Sequence, residues 1–446
     1  MLELRDQSVL VLGLGRSGLS AARFCSERGA RVLACDERPR AEVSGAQTLR
    51  GLAELRLGRP FPDPADFDLV VASPGVPPQR YRERARRVWG DVELAGRALA
   101  VPIVAVTGTN GKSTTVTLIE AMLRSAGLRA RAAGNLGTPA LELVGAALDV
   151  AVLEVSSFQL ETIESFRPHV AVLLNVAPDH LDRHGSLAAY AAAKARLLEN
   201  QRDDDLAVLN ADDPITADFA TRCASEPFCF STRRPVARGA WLDAGGVWLR
   251  RADTPPSLLS LDGVSTAVAD NLENLLAALC ATVAANAEPE KAWRALGSFE
   301  GLPHRTTLVA QRGGVTYIDD SKATNPAAAL RSLQRFDAPV VWIAGGRAKG
   351  LDVAAMARAG LPGIRAAVVL GEAAEQLEQT LRGDVPVRRA GSIEEATALA
   401  AELASPGDVV LLSPGCSSLD QFASFEERGT RFREAALALA DPQVGP

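Results

Sequence analysis

VPIVAVTGTNGKSTT, residues 101–115, joins an apolar, β-branched run to a glycine-containing loop that ends in Lys112-Ser113. The apolar run predicts a buried strand, and the residues that follow the loop predict a helix. Backbone N–H groups of such a loop bind phosphate oxygens, Lys112 adds a compact positive charge, and the Ser113 hydroxyl suits Mg²⁺. Val106 stands where the general P-loop spacing has its first glycine, so the sequence predicts a shortened phosphate loop.

Lysine is rare in this chain, with five residues among the 48 basic ones. Arginine therefore supplies most of the positive charge. A lysine retained against this bias indicates a task that needs a compact ammonium group or an amine able to lose its proton. Four of the five lie in motif-like segments: Lys112, Lys194, Lys322 and Lys349.

Length and composition indicate a globular protein of several domains. A chain of 446 residues corresponds to roughly three domains of ~150 residues. The formal net charge of −6 argues against a nucleic-acid partner. No apolar run is long enough to span a membrane and no signal peptide is visible, so no membrane partner is expected. Six scattered cysteines predict free thiols in a reducing compartment, and we expect a cytoplasmic monomer.

The amino-terminal segment carries a second nucleotide-like pattern. A strand ending at Leu12 leads through Gly13-x-Gly15-x-x-Gly18 into a helix, and the next strand ends at Asp36. Such glycines allow a tight turn that brings a diphosphate to the helix N-terminus, and the acidic residue can accept ribose hydroxyls. NAD and UDP-sugars present the same groups, so both readings stay open. Further along, the arginine-rich run 80–87 predicts a solvent-exposed helix.

A second α/β unit begins near residue 95, and its strands end in polar residues. Glu154 lies within an apolar strand, where a lone acid is costly unless it is paired or bound to a metal. Beside a phosphate loop it predicts a Mg²⁺ ligand. His180 follows a later strand, and Lys194 lies on the helix after it.

A third α/β unit begins near residue 301. Three of its strands are followed by polar loops, at residues 319–326, 345–350 and 413–420. Because loops at the carboxyl ends of parallel strands bind ligands, we expect these three loops to converge on one site.

Together these segments resemble the Mur ligase family, whose members are ATP-dependent amide-forming ligases, and the resemblance covers essentially the complete chain. GTNGKST is shared with folylpolyglutamate synthases, whereas SSFQLE, DSKATN and SPxxxSxDQF resemble the members that add D-glutamate. The matching segments are GTNGKST (108–114), LEVSSFQLE (153–161), NVAPDHLDRHG (175–185), YAAAK (190–194), GLPHR (301–305), DDSKATNP (319–326), GGRAKG (345–350) and LSPGCSSLDQF (412–422).

The resemblance implies an α/β protein of three domains. Residues 1–94 would form a Rossmann-like domain that binds the UDP part of the substrate. Residues 95–300 would form the central P-loop-type ATP-binding domain, and residues 301–446 a Rossmann-like glutamate-ligase domain. The substrates would be ATP, UDP-MurNAc-L-alanine and D-glutamate. Two Mg²⁺ sites and a CO₂-derived carbamate on Lys194 would complete the active site.

The resemblance also implies roles for individual residues. Those expected to act in catalysis are Lys112, Glu154, His180 and Lys194. Those expected to hold ATP are Gly108, Thr109, Asn110, Gly111, Lys112, Ser113, Thr114, Asn271, Arg305 and Asp320. Those expected to hold the UDP-substrate are Gly13, Arg16, Ser17, Asp36, Arg38, Ser73, Gly75, Asn135 and His180. Those expected to hold D-glutamate are Lys322, Thr324, Lys349, Ser418 and Phe425. The expected metal ligands are Ser113, Glu154, His180 and Lys194.

Other classes of protein explain parts of the chain. An NAD-dependent oxidoreductase would use the amino-terminal glycines but leaves the phosphate loop unexplained. A P-loop kinase, a GTPase or a nucleotide sensor explains that loop but not the flanking units. Another Mur ligase or a folylpolyglutamate synthase is the nearest alternative enzyme.

Overall fold

The computed structural model describes residues 2–251 and 254–439. It contains three α/β sheets that follow one another along the chain. The residues group into two compact units. One unit comprises Met1–Val176 and Ala191–Glu300, and the other comprises Ala177–Tyr190 and Gly301–Pro446.

The first sheet is parallel throughout and lies in the first unit. Its strand order, β3-β2-β1-β4-β5, changes direction on either side of β1. Such a switch point opens a crevice at the carboxyl end of the central strands. The strands are β1 (Ser8–Leu12), β2 (Arg31–Asp36), β3 (Glu54–Leu57), β4 (Leu69–Ala72) and β5 (Val88–Trp89), and the helices are α1 (Arg16–Glu27) and α2 (Asp91–Ala98).

The second sheet also lies in the first unit and has nine strands. Its order is β14-β13-β12-β11-β10-β9-β6-β8-β7, and neighbouring strands are parallel except in the pairs β12–β13 and β13–β14. The central strands are buried along their full length, as expected for a sheet covered on both faces. The strands are β6 (Ile103–Thr107), β7 (Ala130–Gly134), β8 (Val150–Glu154), β9 (Val170–Leu173), β10 (Leu206–Asn210), β11 (Glu226–Ser231), β12 (Gly239–Asp243), β13 (Gly246–Arg250) and β14 (Ser257–Leu259).

Helix α9 packs against α3 in the core above this sheet. The helices of residues 112–293 are α3 (Lys112–Ser125), α4 (Ser157–Leu160), α5 (Leu181–His184), α6 (Leu187–Ala195), α7 (Pro214–Phe219), α8 (Thr266–Ala269), α9 (Leu272–Ala284) and α10 (Pro289–Trp293). Helix α4 begins with a capping box, in which the Ser156 and Gln159 side chains bond each other's backbone N–H. This box starts a new helix three positions after the last residue of β8.

The third sheet lies in the second unit, in the order β15-β16-β20-β17-β18-β19. Strands β16, β20 and β17 are parallel neighbours, so their carboxyl ends meet at one edge. The strands are β15 (Thr307–Arg312), β16 (Val315–Asp319), β17 (Val340–Gly345), β18 (Ile364–Leu370), β19 (Val387–Arg389) and β20 (Val409–Leu412). The helices are α11 (Pro326–Leu333), α12 (Val353–Gly360), α13 (Ala374–Leu381), α14 (Ile393–Leu403) and α15 (Phe425–Ala438).

The helix expected at residues 80–87 is wrong. The chain forms a 3₁₀ turn at Pro78–Arg80 and then irregular turns. Two of its arginines form ion pairs with acids from separate parts of the chain: Arg80 pairs with Glu37, and Arg84 pairs with Asp63. These long-range partners override the local charge pattern that suggested a helix.

Two expectations about the complete chain can be compared with the structure. All six cysteines are free thiols, as predicted. Burial raises the pKa of Cys25 and of Cys416 to about 12, so these thiols stay protonated at neutral pH. None of the helices formed by residues 2–251 and 254–439 has both the length and the apolar character needed to cross a membrane.

Candidate active site

The amino-terminal glycine turn has the geometry of a diphosphate-binding turn. Gly13 has a φ of +80°, which favours glycine, and a Cβ on Gly18 would lie 1.9 Å from the Gly13 carbonyl oxygen. A Cβ on Gly15 would meet no atom within 4 Å. The three glycines thus provide a tight turn, close packing of the helix, and an open backbone that a ligand can approach.

A cavity of about 590 Å³ opens beside this turn. All seven UDP-substrate residues predicted in the first 94 positions line it: Gly13, Arg16, Ser17, Asp36, Arg38, Ser73 and Gly75. Sequence reasoning missed two residues of the same wall, Phe61 and Arg80, whose guanidinium lies 5.3 Å from the ring centroid. They come from the loops after different strands, and no local pattern brings them together.

Asp36 is already engaged within the protein. Its Oδ2 accepts hydrogen bonds from the Leu14 N–H and from Arg38, both at 2.8 Å, and its Oδ1 accepts from the Arg38 N–H and Nε. Burial raises the pKa of Asp36, but these hydrogen bonds outweigh it and hold the pKa below its ordinary value. The carboxylate therefore orients the glycine turn and Arg38 at the wall of the cavity.

The phosphate loop connects β6 to α3, as predicted. Gly108 and Gly111 have φ values of +156° and +86°, and Gly111 forms the N-cap of α3. A Cβ on Gly111 would lie 2.3 Å from the Asn274 side chain, so glycine is needed there for space as well as for conformation. No acidic residue lies in the first turn of α3, which leaves its positive end available to an anion.

Two lysines meet at one carbonyl of this loop. Lys112 Nζ donates to the Gly108 carbonyl oxygen at 2.7 Å and to that of Thr109 at 2.9 Å. Lys194 Nζ, which is almost fully buried, donates to the same Gly108 oxygen at 2.8 Å. Two amines thus lie at the loop that is predicted to hold phosphates, in a unit where arginine is the usual cation.

Glu154 lies at the end of β8, beside Val106 of β6. It is buried; its Oε1 accepts a hydrogen bond from Asn135 Nδ2 at 2.7 Å, whereas Oε2 is buried without a hydrogen-bond donor among the described residues. A buried carboxylate oxygen without a donor is costly and fits a cation ligand. Residues 2–251 and 254–439 contain no group of three His, Cys, Asp or Glu side chains placed to hold a metal, so further ligands would come from other groups.

Strand-end loops converge in the second unit, as predicted from their positions. Lys322 Nζ lies 3.7 Å from the centroid of the Phe425 ring, a cation–π contact between two of the predicted glutamate residues. His304 Nδ1 lies 2.6 Å from Asp319 Oδ2, and its ring meets Phe425 edge-on at 6.4 Å. These contacts bring the segment before β15, the end of β16 and the start of α15 together.

Asp320 is buried beneath this cluster. It accepts hydrogen bonds from Ser332, from Ser413 Oγ at 3.1 Å and from the Thr306 N–H at 3.3 Å. Burial raises the pKa of this carboxyl to about 6, although these donors and the nearby Arg305 act in the opposite direction. Asp320 therefore changes charge near neutral pH, which is typical of functional sites.

The segment of residues 177–190 belongs to the second unit, although in the chain it follows β9 and includes α5 and the first residues of α6. Lys349 Nζ donates to Asp179 Oδ1 at 2.8 Å, and Asn325 Nδ2 approaches Asp179 Oδ2 at 3.4 Å. His180, predicted as a catalytic and metal-binding residue, follows Asp179 directly, with its Nε2 3.7 Å from Asp179 Oδ2. The structure thus connects the His180 segment with the loops that carry Lys349 and Asn325.

Models of the Mur ligase family match three parts of the chain. The Mur ligase MurD-like N-terminal domain matches residues 7–85, the Mur ligase middle domain residues 106–282, and the Mur ligase glutamate ligase domain residues 304–416. The chain belongs to the Mur ligase family.

Two relatives of this Mur ligase are similar over nearly the complete chain. The UDP-N-acetylmuramoylalanine–D-glutamate ligase of Geobacter metallireducens is 42% identical, over 98% of this chain and 99% of the relative. The ligase of the same name from Pelotomaculum thermopropionicum is 43% identical, over 97% of this chain and 98% of the relative. The solved UDP-N-acetylmuramate–alanine ligase of Thermotoga maritima, 18% identical with a TM-score of 0.61, covers 96% of this chain and 99% of its own, and shares the fold.

Several residues that support the site of this Mur ligase were not predicted. Asn175 holds the phosphate loop, since its Oδ1 accepts from the Asn110 N–H at 2.9 Å and its carbonyl from the Thr109 N–H at 2.9 Å. Gln159 of the SSFQLE segment donates to both oxygens of Asp91 at 3.1 Å. The sequence does show an asparagine in a strand-end loop and a glutamine in a capping box. It does not show their hydrogen-bond partners, which lie 65 and 68 positions away in the chain.

Backbone strain marks the segments that carry predicted site residues. His180, His304, Thr306 and Lys349 have φ values of 51°, 61°, 48° and 55°. Residues other than glycine rarely adopt this left-handed conformation, and such strain accumulates where function requires it. Three of the six non-glycine residues with positive φ in the described chain, His180, His304 and Lys349, therefore lie within motifs of the Mur ligase family, and Thr306 directly follows one of these motifs.

Proposed function

We propose that this Mur ligase joins D-glutamate to UDP-N-acetylmuramoyl-L-alanine with hydrolysis of ATP to ADP and phosphate, a step in the synthesis of peptidoglycan precursors. The observation that carries the proposal is the phosphate loop together with two lysine amines that bind it and the carboxylate of Glu154 on the neighbouring strand. Lys112 and Lys194 share the Gly108 oxygen, and Glu154 keeps one oxygen without a donor among the described residues. The names of the relatives at 42–43% identity support the choice of substrates.

The first sheet would bind the UDP moiety in the 590 Å³ cavity, with the diphosphate at the N-terminus of α1. NAD is not favoured as its ligand, because an NAD-dependent oxidoreductase would leave the phosphate loop between β6 and α3 without a function. Residues 108–114 would hold the ATP phosphates, and the residues proposed to bind the adenosine or its phosphates are Asn271, Arg305 and Asp320. We propose domain borders at 94/95 and 300/301 and a cytoplasmic monomer.

Amide formation from a carboxylate requires a better leaving group. The L-alanyl carboxylate attacks the γ-phosphorus of ATP, which gives an acyl phosphate and ADP. The amine of glutamate then attacks the acyl carbon, phosphate leaves, and the nitrogen loses a proton. Mg²⁺, when bound, would neutralise charge on the phosphate oxygens.

The protein's own groups would position these anions and stabilise the charge that develops on them. Lys112 supplies a mobile ammonium at the transferred phosphoryl group, and Ser113 and Glu154 supply oxygen ligands for Mg²⁺. His180 and a carbamoylated Lys194 would provide the remaining ligands and Asn135 would contact the UDP-substrate. Lys322, Thr324, Lys349, Ser418 and Phe425 would receive D-glutamate.

A coupled assay of ADP release tests the function directly. UDP-MurNAc-L-alanine and ATP are supplied with D-glutamate, with L-glutamate or with neither amino acid. We expect release only with D-glutamate. Release with a folate acceptor, or binding of NAD in place of UDP-MurNAc-L-alanine in calorimetry, would contradict the proposal.

Lys112→Ala tests the observation on which the proposal rests. Loss of one charge that stabilises a phosphoryl transition state lowers kcat by roughly 10²-fold or more, whereas calorimetric binding of UDP-MurNAc-L-alanine should be unchanged. Lys291→Ala is the matched control, because Lys291 lies on α10 and pairs with Glu288. Near-normal ligation by a folded Lys112→Ala protein would remove the basis for the phosphate-loop assignment.

A further inference from the structure

One buried cation in the second unit has no part in the mechanism above. Arg428, in helix α15, is 1% exposed. Burial lowers its pKa to about 10, so the guanidinium is still charged at neutral pH. A buried charge is costly unless hydrogen bonds compensate it, and this arginine is therefore expected to have a specific task.

The guanidinium connects several separate segments. Its Nε donates to Ser321 Oγ at 2.9 Å and a terminal nitrogen donates to the Ser321 carbonyl oxygen at 2.8 Å. The other terminal nitrogen donates to the Cys416 carbonyl oxygen at 3.3 Å. Ser321 Oγ in turn donates to the Phe425 carbonyl oxygen at 2.9 Å.

A fourth segment lies against the same group. A Cβ on Gly346 would lie 3.4 Å from Arg428 and 2.3 Å from the Ser417 carbonyl oxygen. The Arg347 and Ser417 backbones are joined by two hydrogen bonds of 2.9 Å. The turn that leads to Lys349 is thus packed directly on the arginine and on the loop after β20.

We propose that Arg428 is the positioning residue of the amino-acid site, one group that sets the relative placement of the four segments which bind D-glutamate. This inference rests on the proposed function. Each segment carries at least one of the residues proposed for D-glutamate: Lys322 and Thr324 after Ser321, Lys349 after Gly346, Ser418 after Cys416, and Phe425.

Arginine suits this task because its planar fork donates in several fixed directions at once, which a lysine ammonium cannot reproduce. Groups behind the binding residues commonly change affinity or rate by 10- to 100-fold, since a small displacement misaligns the reacting atoms. Arg428 itself need not touch the substrate. Its loss should therefore affect the use of D-glutamate and leave the UDP-substrate site in the other unit intact.

The test compares Arg428→Lys and Ser321→Ala with Arg431→Met as the matched control. Arg431 lies one turn further along α15, is partly exposed and pairs with Glu394. We expect the KM for D-glutamate to rise about tenfold or more in Arg428→Lys and severalfold in Ser321→Ala. The Kd for UDP-MurNAc-L-alanine and the control variant should be unchanged.

Several outcomes decide the proposal. A normal KM for D-glutamate in both folded variants would overturn it, as would an equal rise in the Kd for UDP-MurNAc-L-alanine, which would indicate general unfolding. If Arg428→Lys does not fold, Ser321→Ala carries the test, because it removes one hydroxyl and keeps the buried charge. If the unsubstituted enzyme releases no ADP with D-glutamate, the proposed function fails instead.

Discussion

Among single residues, Lys194 has the least expected environment. Its amine is almost fully buried and donates to the Gly108 carbonyl oxygen at 2.8 Å. A carbamate on this amine would turn a cation into an anionic oxygen ligand, a reaction that the guanidinium of arginine does not offer. The position of the amine is compatible with this modification.

Lys194→Arg should therefore be nearly inactive although it keeps the positive charge, with a loss of roughly 10²-fold or more in kcat. The second measurement is a ¹³C NMR spectrum after incubation with ¹³C-bicarbonate, in which the unsubstituted protein should show a carbamate signal that Lys194→Arg lacks. Short carboxylic acids should partly restore the activity of Lys194→Ala. Wild-type turnover by Lys194→Arg would falsify the carbamate.

Asp320 predicts a pH dependence of stability. Its pKa in the folded protein is about 6 against an ordinary 3.8. Because the folded value is the higher one, the protonated carboxyl favours the fold, and this contribution is fully present below pH 3.8 and lost as the pH rises through about 6. The shift corresponds to roughly 3 kcal/mol at neutral pH.

Asp320→Asn should therefore stabilise the third sheet at pH 7.5, and the difference from the unsubstituted protein should shrink towards pH 5. Native-state hydrogen exchange in β16 and β20 measures the free energy of opening of this sheet. Asp337→Asn is the control, because it removes the same charge from an exposed position. A difference that does not depend on pH would show that Asp320 is ionised throughout the range.

Among the secondary-structure elements, the turn between β1 and α1 allows two glycines to be tested separately. Gly18→Ala places a methyl group 1.9 Å from a backbone oxygen, so the turn and helix must separate, at a cost of about 2 kcal/mol or more. Gly15→Ala meets no protein atom within 4 Å, and its φ of −74° suits alanine.

We therefore expect Gly18→Ala to lower the melting temperature. Gly15→Ala should melt normally and bind UDP-MurNAc-L-alanine roughly tenfold more weakly, since its methyl group projects where the diphosphate approaches. Calorimetry and thermal unfolding of the two variants separate binding from stability. Unchanged affinity in Gly15→Ala would place the diphosphate elsewhere.

Within the complete chain, the segment of residues 177–190 connects distant parts of the sequence. It includes α5 and the first residues of α6 but groups with residues 301–446, where Asp179 pairs with Lys349. Removing residues 301–446 would therefore remove the partners of the His180 segment as well as the glutamate site. The two losses could not be separated in a shortened chain.

Lys349→Met in the complete chain avoids this difficulty. Loss of the ammonium leaves the Asp179 carboxylate without its 2.8 Å partner in a largely buried position. Hydrogen exchange should rise in residues 177–190, and the KM for D-glutamate should increase more than the Kd for UDP-MurNAc-L-alanine. Arg347→Met, which breaks an exposed pair with Glu372, is the control. Equal effects in both variants would contradict a specific role for Lys349.

Local features could be read from residue order alone. The phosphate loop, its glycines and the helix that begins at Lys112 were predicted correctly, because strand periodicity and positive φ values depend on neighbouring residues. The convergence of the loops after β16, β17 and β20 was also expected, because parallel strands direct their carboxyl ends to one edge.

Contacts between distant residues required the folded chain. The hydrogen bonds from Leu14 and Arg38 to Asp36 are not visible in residue order, and the helix predicted for residues 80–87 is wrong because Arg80 and Arg84 pair with distant acids. Arg428 is one of 43 arginines, and no local pattern distinguishes it. Its role depends on Ser321 and Cys416, 107 and 12 positions away. Residue order specifies backbone conformation and periodicity, whereas the partner of a side chain is set by packing across the chain.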